Sequence, residues 1–299
     1  MTIDPGPIPS CVCAMPPRKC LWQLSEGRSL ALGGCTKIMG ILNVTPDSFS
    51  DGGHFLDTQR AVDRGLEMAQ QGAAIIDVGG ESSRPGADPV SLDDELERTI
   101  PVVSELAART ESPISIDTTK YEVAKAALKA GAAIINDISG FSFDPRMAGL
   151  AAATRAGAVV MHMRGIPRTM QQNPSYADTV VEVCRELGRK VAKLLDAGVG
   201  SGQIVVDPGI GFAKAAADNL RILAHLEALD TLGYPLLLGC SRKSFLGAGG
   251  VKVASDRLPE TLATSVVAAL CGCHLVRVHD VAENRRALDV ITSLFEVRR

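Results

Sequence analysis

The chain has 299 residues, a net charge of −3 and a hydrophobic content of 46%. Mixed charge of this kind excludes the basic footprint of a nucleic-acid binder, and no apolar run reaches membrane-spanning length. Aromatic residues make up only 4%, so the core must be mostly aliphatic, as suits strands buried on both faces.

In chain order, residues 1–20 form a Pro- and Cys-rich arm, expected to be disordered or loosely attached. It lacks the apolar stretch of a secretory signal, so a cytoplasmic protein is expected. Residues 21–36 set Leu24, Leu30 and Leu32 around the turn formers Gly27 and Gly33–Gly34, which predicts a short hairpin covering the bottom of the main fold. Strand and helix then alternate eight times, with helices near 57–72, 91–109, 120–130, 145–156, 176–197, 216–232, 258–272 and 281–296. Val62, Leu66 and Ala69, and again Val180, Val183, Cys184 and Leu187, have amphipathic helical spacing. Gly72, Gly131, Gly157, Gly198 and Gly233 stand where left-handed C-caps are expected. One domain, 21–299, folded as a (β/α)8 TIM barrel is the predicted architecture, with a doubly wound sheet as the alternative.

The eight cysteines do not suggest a metal centre. Cys11, Cys13, Cys20 and Cys35 crowd the N-terminal end, while Cys184, Cys240, Cys271 and Cys273 are scattered. A zinc site needs four ligands converging on one point, and reduced thiols, some of them buried, are the simpler expectation.

The polar residues are more informative. Asn43, Asp77, Asp117, Asn136, His162, Asp207 and Arg277 each follow or close a short aliphatic run. In parallel α/β folds, sites are built at that edge of the sheet. A lone Asp at such a place is often only a helix N-cap. Asp117, Asn136 and Asp207 at one barrel mouth instead offer two carboxylates and an amide, a set suited to a flat heterocycle carrying ring N–H, amino and carbonyl groups. Arg84, Lys243, Arg277 and His279 also follow strand ends, and with Asn43 they suit a diphosphate. Such a phosphate substrate brings Mg2+, for which Asn43 can give an oxygen. The long connection from Asn43 to Gly53 is rich in turn formers, and Phe49 within it suggests a lid closing on something flat.

Seven segments in order resemble the dihydropteroate synthases, which belong to the pterin-binding barrels. They are Met39 to Gly53 (MGILNVTPDSFSDGG), Asp77 to Gly86 (DVGGESSRPG), Ser115–Thr118, Ile135–Asp137, Asp207 to Lys214 (DPGIGFAK), Ser241–Ser244 and Arg277–His279. The resemblance runs from about Ile38 to near Leu294. It implies attack of 4-aminobenzoate on the methylene carbon of 6-hydroxymethyl-7,8-dihydropterin diphosphate, a C–N bond-forming transfer assisted by Mg2+. It also implies that Asp117, Asn136, Asp207 and Lys243 hold the pterin. Arg277 would stack on the ring and, with His279, Asn43, Arg84 and the neighbouring Ser83 and Val278, hold the diphosphate. Phe49, Pro85, Phe212 and Ser244 would meet 4-aminobenzoate, Ser244 at a helix start that favours the carboxylate. Asp51 would offer negative charge to the reacting carbon, so Asp51, Lys243 and Arg277 carry the catalytic roles, and Asn43 is the metal-associated residue. A homodimer acting on small-molecule substrates, without nucleic acid or membrane, completes the expectation. Ala213 departs from the glycine found in some members. A pterin-binding methyltransferase and a non-catalytic pterin binder are the rival readings.

Overall fold

The computed structural model describes residues 15–44, 53–82, 84, 86–249 and 253–297. Strands β1 (Cys20–Gln23) and β2 (Ser29–Leu32) pair antiparallel, with Trp22 opposite Leu30. Alternation along the pair buries Trp22 and Leu32, and leaves Leu21, Gln23, Ser29 and Ala31 exposed. This is the expected hairpin.

Eight strands come after it: β3 (Lys37–Asn43), β4 (Ile75–Gly79), β5 (Ile114–Asp117), β6 (Ile134–Asp137), β7 (Gly157–Met161), β8 (Ile204–Asp207), β9 (Leu237–Leu238) and β10 (Leu275–Val278). All neighbouring pairs are parallel, in the order β8-β7-β6-β5-β4-β3-β10-β9. A bridge between Val206 and Leu236 joins the two ends of the sheet into a ring. Around it stand α1 (Gly53–Gln70), α2 (Leu92–Arg109), α3 (Tyr121–Lys129), α4 (Arg146–Thr154), α5 (Thr179–Asp196), α6 (Ala216–Ala224), α7 (Leu258–Leu270) and α8 (Val281–Val297). The predicted (β/α)8 barrel is the fold. No helix among the described residues is long and apolar enough to cross a membrane.

Strand alternation divides the core in two. Ile38, Leu42, Ile76, Val78, Ile116, Ile135, Val160, Val206 and Val276 pack outward under the helices. Met39, Ile75, Ile134, Val159, Val205, Leu237 and Leu275 face inward and form one cluster with Trp22, Leu24 and Leu32. The hairpin therefore plugs the bottom of the barrel, and the Trp22 indole N–H donates to the Gln203 carbonyl at 2.6 Å. Two residues further along the same strands, the inward positions become Asp77, Asn136, Asp207, Gly239 and Arg277. An apolar floor beneath a polar mouth results from that single period.

Several boundaries differ from the sequence reading. Helix α5 begins after Asp178, whose carboxylate accepts the Val180 and Val181 N–H groups at 3.1 Å and caps it. The helix expected over 216–232 breaks at His225, and a 3-10 segment, Leu226–Leu232, completes it. Gly157 is not a helix cap. Arg155 takes the left-handed conformation there (φ 54°), and Gly157 opens β7. A Cβ on Gly157 would come within 2.7 Å of Leu24, so the plug itself demands glycine. Pro17 is buried and accepts from the Gly34 N–H at 2.9 Å, so the end of the expected arm is tied to the barrel.

Candidate active site

Adjacent strand ends bring Asp77, Asp117, Asn136, Asp207, Lys243 and Arg277 into one mouth. Register pairs Asp117 with Asn136 across β5 and β6, and Ile41 with Asp77 across β3 and β4. The Arg277 guanidinium donates through Nε to Asp77 Oδ2 and through Nη2 to Asp117 Oδ2, both at 2.6 Å. Asp77 Oδ2 also accepts from Asn136 Nδ2 at 2.9 Å. That bond orients the amide and commits its N–H side, leaving the carbonyl oxygen for a ligand. Gly79 and Gly239 keep the space open. A Cβ on Gly79 would lie 3.8 Å from Asp117 Oδ2 and 3.9 Å from Asn43 Oδ1, and one on Gly239 3.9 Å from both Asp207 Oδ2 and Lys243 Nζ.

The charges are held in a desolvated place. Burial pushes the Asp117 carboxyl up to about 7, with Arg277 opposing. Burial also raises Asp207, here with Lys243 opposing. Lys243 is lowered to about 8 by burial, against the pull of Asp207. For Arg277, burial works against the charge, yet Asp77 and Asp117 outweigh it and keep the guanidinium protonated.

Asp77 is marked by its strand end in the sequence but carries no expected role at the site. It is fully buried, and among the described residues its Oδ1 has no hydrogen-bond partner, nor does the neighbouring Ser115 Oγ. The available signal is its place one residue beyond the Ile75–Ile76 pair, the same signal that marks Asp117 and Asp207.

His279 follows β10 and meets Ser241. Its backbone N–H donates to Ser241 Oγ at 3.2 Å, and that hydroxyl lies 3.0 Å from His279 Nδ1. A hydroxyl can accept that N–H and at the same time donate to an unprotonated Nδ1, the arrangement that leaves the proton on Nε2. Burial, with Arg242 and Arg277 adding to it, lowers this imidazole to about 3 and keeps it neutral. The Ser241–Arg242–Lys243 run splits because Arg242 is left-handed (φ 58°), which sends its guanidinium to Asp280 and leaves Ser241 and Lys243 to the mouth. Arg84 is exposed after β4, and its charge also bears on His279.

Phe212 is nearly buried with Ile138, Met161, Met163 and Met170, and the Lys243 ammonium sits 4.6 Å from its ring centroid. Two placements qualify what the resemblance implied. The Val278 side chain packs in the outer core under the helices, because it comes one residue after Arg277 and takes the opposite face, which leaves its backbone for the contact the resemblance implies. Ser244 is exposed as expected for contact, but it opens a six-residue 3-10 segment, Ser244–Gly249, and not an α-helix, so the anion-binding argument from a helix start does not apply there. Phe49, Asp51, Ser83 and Pro85, and Cys11 and Cys13, lie outside the described residues. Among the described residues no group of His, Cys, Asp and Glu side chains is arranged to hold a metal by itself. Asn43 Oδ1, beside Gly79 at the mouth, fits Mg2+ only as one oxygen among substrate oxygens and waters, which is how that ion commonly binds.

A parallel barrel with an apolar floor and ionised groups gathered at the C-terminal mouth belongs to the barrel enzymes. The family model described as pterin binding enzyme matches residues 39–279, and the chain belongs to that family. The dihydropteroate synthase of Synechocystis is 46% identical over 268 residues, which cover 88% of this chain and 91% of that one. The Xanthomonas albilineans dihydropteroate synthase structure with 4-aminobenzoic acid superposes with a TM-score of 0.85 at 42% identity, covering 92% of this chain and 98% of the other. The Yersinia pestis dihydropteroate synthase in a sulfonamide drug complex superposes with a TM-score of 0.85 at 39% identity, covering 91% and 98%.

Proposed function

We propose that this chain catalyses the dihydropteroate synthase reaction. The nitrogen of 4-aminobenzoate attacks the methylene carbon of 6-hydroxymethyl-7,8-dihydropterin diphosphate. The new C–N bond replaces the C–O bond to diphosphate, and the nitrogen releases one proton. The observation that carries this reading is the convergence of Asp117, Asn136, Asp207, Lys243 and Arg277 on one desolvated mouth.

Asp117 and Asp207 accept the ring N–H and amino protons, the Asn136 carbonyl accepts a further one, and Lys243 donates to the ring. Arg277, pinned on two carboxylates, presents a rigid planar cation to the ring and diphosphate. The neutral His279 donates through Nε2, and Arg84 adds charge at the rim. Asn43 would hold Mg2+ with diphosphate oxygens, and the ion supplies charge neutralisation for the leaving group. An arylamine is neutral near pH 7, so no strong base is needed, and positioning with electrostatics accounts for the rate. By the resemblance, Phe49 and Pro85 would meet the aminobenzoate with Phe212 and Ser244, Asp51 would offer charge to the reacting carbon, and Ser83 would join the diphosphate contacts. A homodimer is part of the same reading. Val267 on α7 and Val290 and Leu294 on α8 are exposed apolar side chains on neighbouring helices, the kind of face a second copy covers.

Purified protein with Mg2+ is expected to release diphosphate from the pterin substrate only after 4-aminobenzoate is added, and a sulfonamide should compete with the arylamine in the same assay. Release that ignores aminobenzoate, or methyl transfer with no release, contradicts the reading.

The ionisations set a pH profile. Asp117 must be deprotonated to accept, which holds above about 7, and Lys243 must be protonated to donate, which holds below about 8. We expect kcat/KM for the pterin substrate to be bell-shaped with its maximum between those limbs. Asp117→Asn should remove the acidic limb. A flat profile from pH 6 to 9 removes these two groups from the rate.

A further inference from the structure

The connection from β8 to α6 is held in an unusual way. Six consecutive carbonyls, Gly209 to Lys214, each accept from a side chain. Lys214 Nζ donates to the Gly209 and Phe212 carbonyls, both at 2.9 Å. Lys243 Nζ donates to Ile210, Gln171 to Gly211 at 2.6 Å, Tyr176 to Ala213 at 2.9 Å and Asn219 to Lys214 at 3.3 Å. The loop also sets the site's own groups. Its Gly209 N–H fixes Asp207 Oδ1 at 2.7 Å, its Ile210 carbonyl anchors the Lys243 ammonium, and Phe212 lies beneath that ammonium.

Lys214 stands at the centre of this arrangement and is only 2% exposed. Its Nζ also lies 2.9 Å from His162 Nδ1, and His162 Nε2 lies 3.0 Å from Glu186 Oε2. Glu186 in turn is gripped by Arg164. Burial lowers the Lys214 amine well below its ordinary value, with Asp207 opposing; when it donates to His162, Nδ1 is the bare nitrogen and Nε2 carries the proton toward Glu186. The His162 backbone closes the circuit, since its N–H donates to the Asp207 carbonyl at 2.9 Å. Lys214 Nζ contacts the loop backbone and His162. It lies behind the loop that presents three groups to the mouth.

We propose that Lys214 is a positioning residue for the reaction, its buried Nζ holding the Gly209–Phe212 turn so that Asp207, Lys243 and Phe212 face both substrates in register. This rests on the dihydropteroate synthase reading. Removal of Nζ leaves the Gly209 and Phe212 carbonyls without that donor on either side of the Ile210 anchor, and the turn loosens where Phe212 meets the arylamine.

The test compares Lys214→Met with Gln203→Leu, because Gln203 also ties buried carbonyls, those of Ala151 and Ala156, but at the closed end of the barrel. Both variants should lose thermal stability. Only Lys214→Met should raise the KM for 4-aminobenzoate, by on the order of 10-fold, the factor that ~1.4 kcal/mol of lost positioning corresponds to. If both variants keep KM within about 2-fold of the wild type, Lys214 is a structural tie and the proposal fails. Should Lys214→Met not fold, nitrogen NMR of the wild-type histidines decides. The expected His162 signal is a neutral ring with the proton on Nε2 at pH 6, and a proton on Nδ1 or an imidazolium there overturns the proposal. A wild type with no aminobenzoate-dependent diphosphate release would remove the reading of the reaction, and the NMR result would still judge the Lys214–His162 contact.

Discussion

Arg277→Leu is expected to abolish measurable turnover and to destabilise the fold by about 3–5 kcal/mol, the cost of stripping one partner from a buried ion cluster. Asp77 is fully buried and Asp117 nearly so, and both are ion-paired to this guanidinium. Without it, the Asp117 carboxyl escapes a less compensated charge by binding a proton. The sign comes from linkage. A carboxyl whose folded pKa lies above its unfolded value keeps the protein stable while protonated, and that stability is lost as pH rises through the folded pKa. Asp117 is already raised to about 7 with the arginine present, and loss of the arginine raises it further. The deficit of Arg277→Leu should therefore be small near pH 5 and full near pH 9, read by denaturant unfolding across that range. A deficit of equal size at both ends would show that the cluster is not an ion network, and that Arg277 matters only by its volume.

Trp22→Ala should act at the opposite end of the barrel, with a loss of about 3–5 kcal/mol in stability and little change in kinetics at temperatures where the variant is folded. The indole is fully buried against Met39, Ile75, Val159, Val205 and Leu237, and its N–H holds the Gln203 carbonyl. Truncation leaves a cavity that Gly157, which has no side chain and on which a Cβ would come 3.1 Å from the ring, cannot fill. Because the floor lies a full layer below the acids of the mouth, the KM values for both substrates should stay near those of the wild type. A large rise in either KM, with modest destabilisation, would mean that the floor transmits its packing to the site.

The architecture was legible because strands buried on both faces read as unbroken aliphatic runs. Ile134–Ile135 and Val205–Val206 stop at the residues that matter, Asn136 and Asp207. The same reading placed Asp117, Lys243, Arg277 and His279 together, and the structure brings them together. What escaped is what depends on the third dimension. Asp77 looks like its neighbours in sequence, but only the ring of strands shows it sharing Arg277 with Asp117. Arg242 and Lys243 are adjacent cations, and one left-handed residue separates their fates. Val278 sits between two site residues and faces away, as strand alternation requires. Ala213 carries a φ of 51°, a conformation that glycine takes without strain. The Lys214–His162–Glu186 chain joins residues from β7, α5 and the β8 connection, a grouping with no trace in spacing.

The most direct measurement of the central claim is a crystal structure with the dihydropterin substrate bound. The account predicts the ring in the barrel mouth, its N–H edge on Asp117 and Asp207, with Asn136 and Lys243 completing the contacts and the diphosphate directed toward Arg277, His279 and Asn43. A pterin found instead in the depression at the closed end, lined by Arg18, Lys19, Ser201 and Tyr234, with the mouth empty, would contradict it.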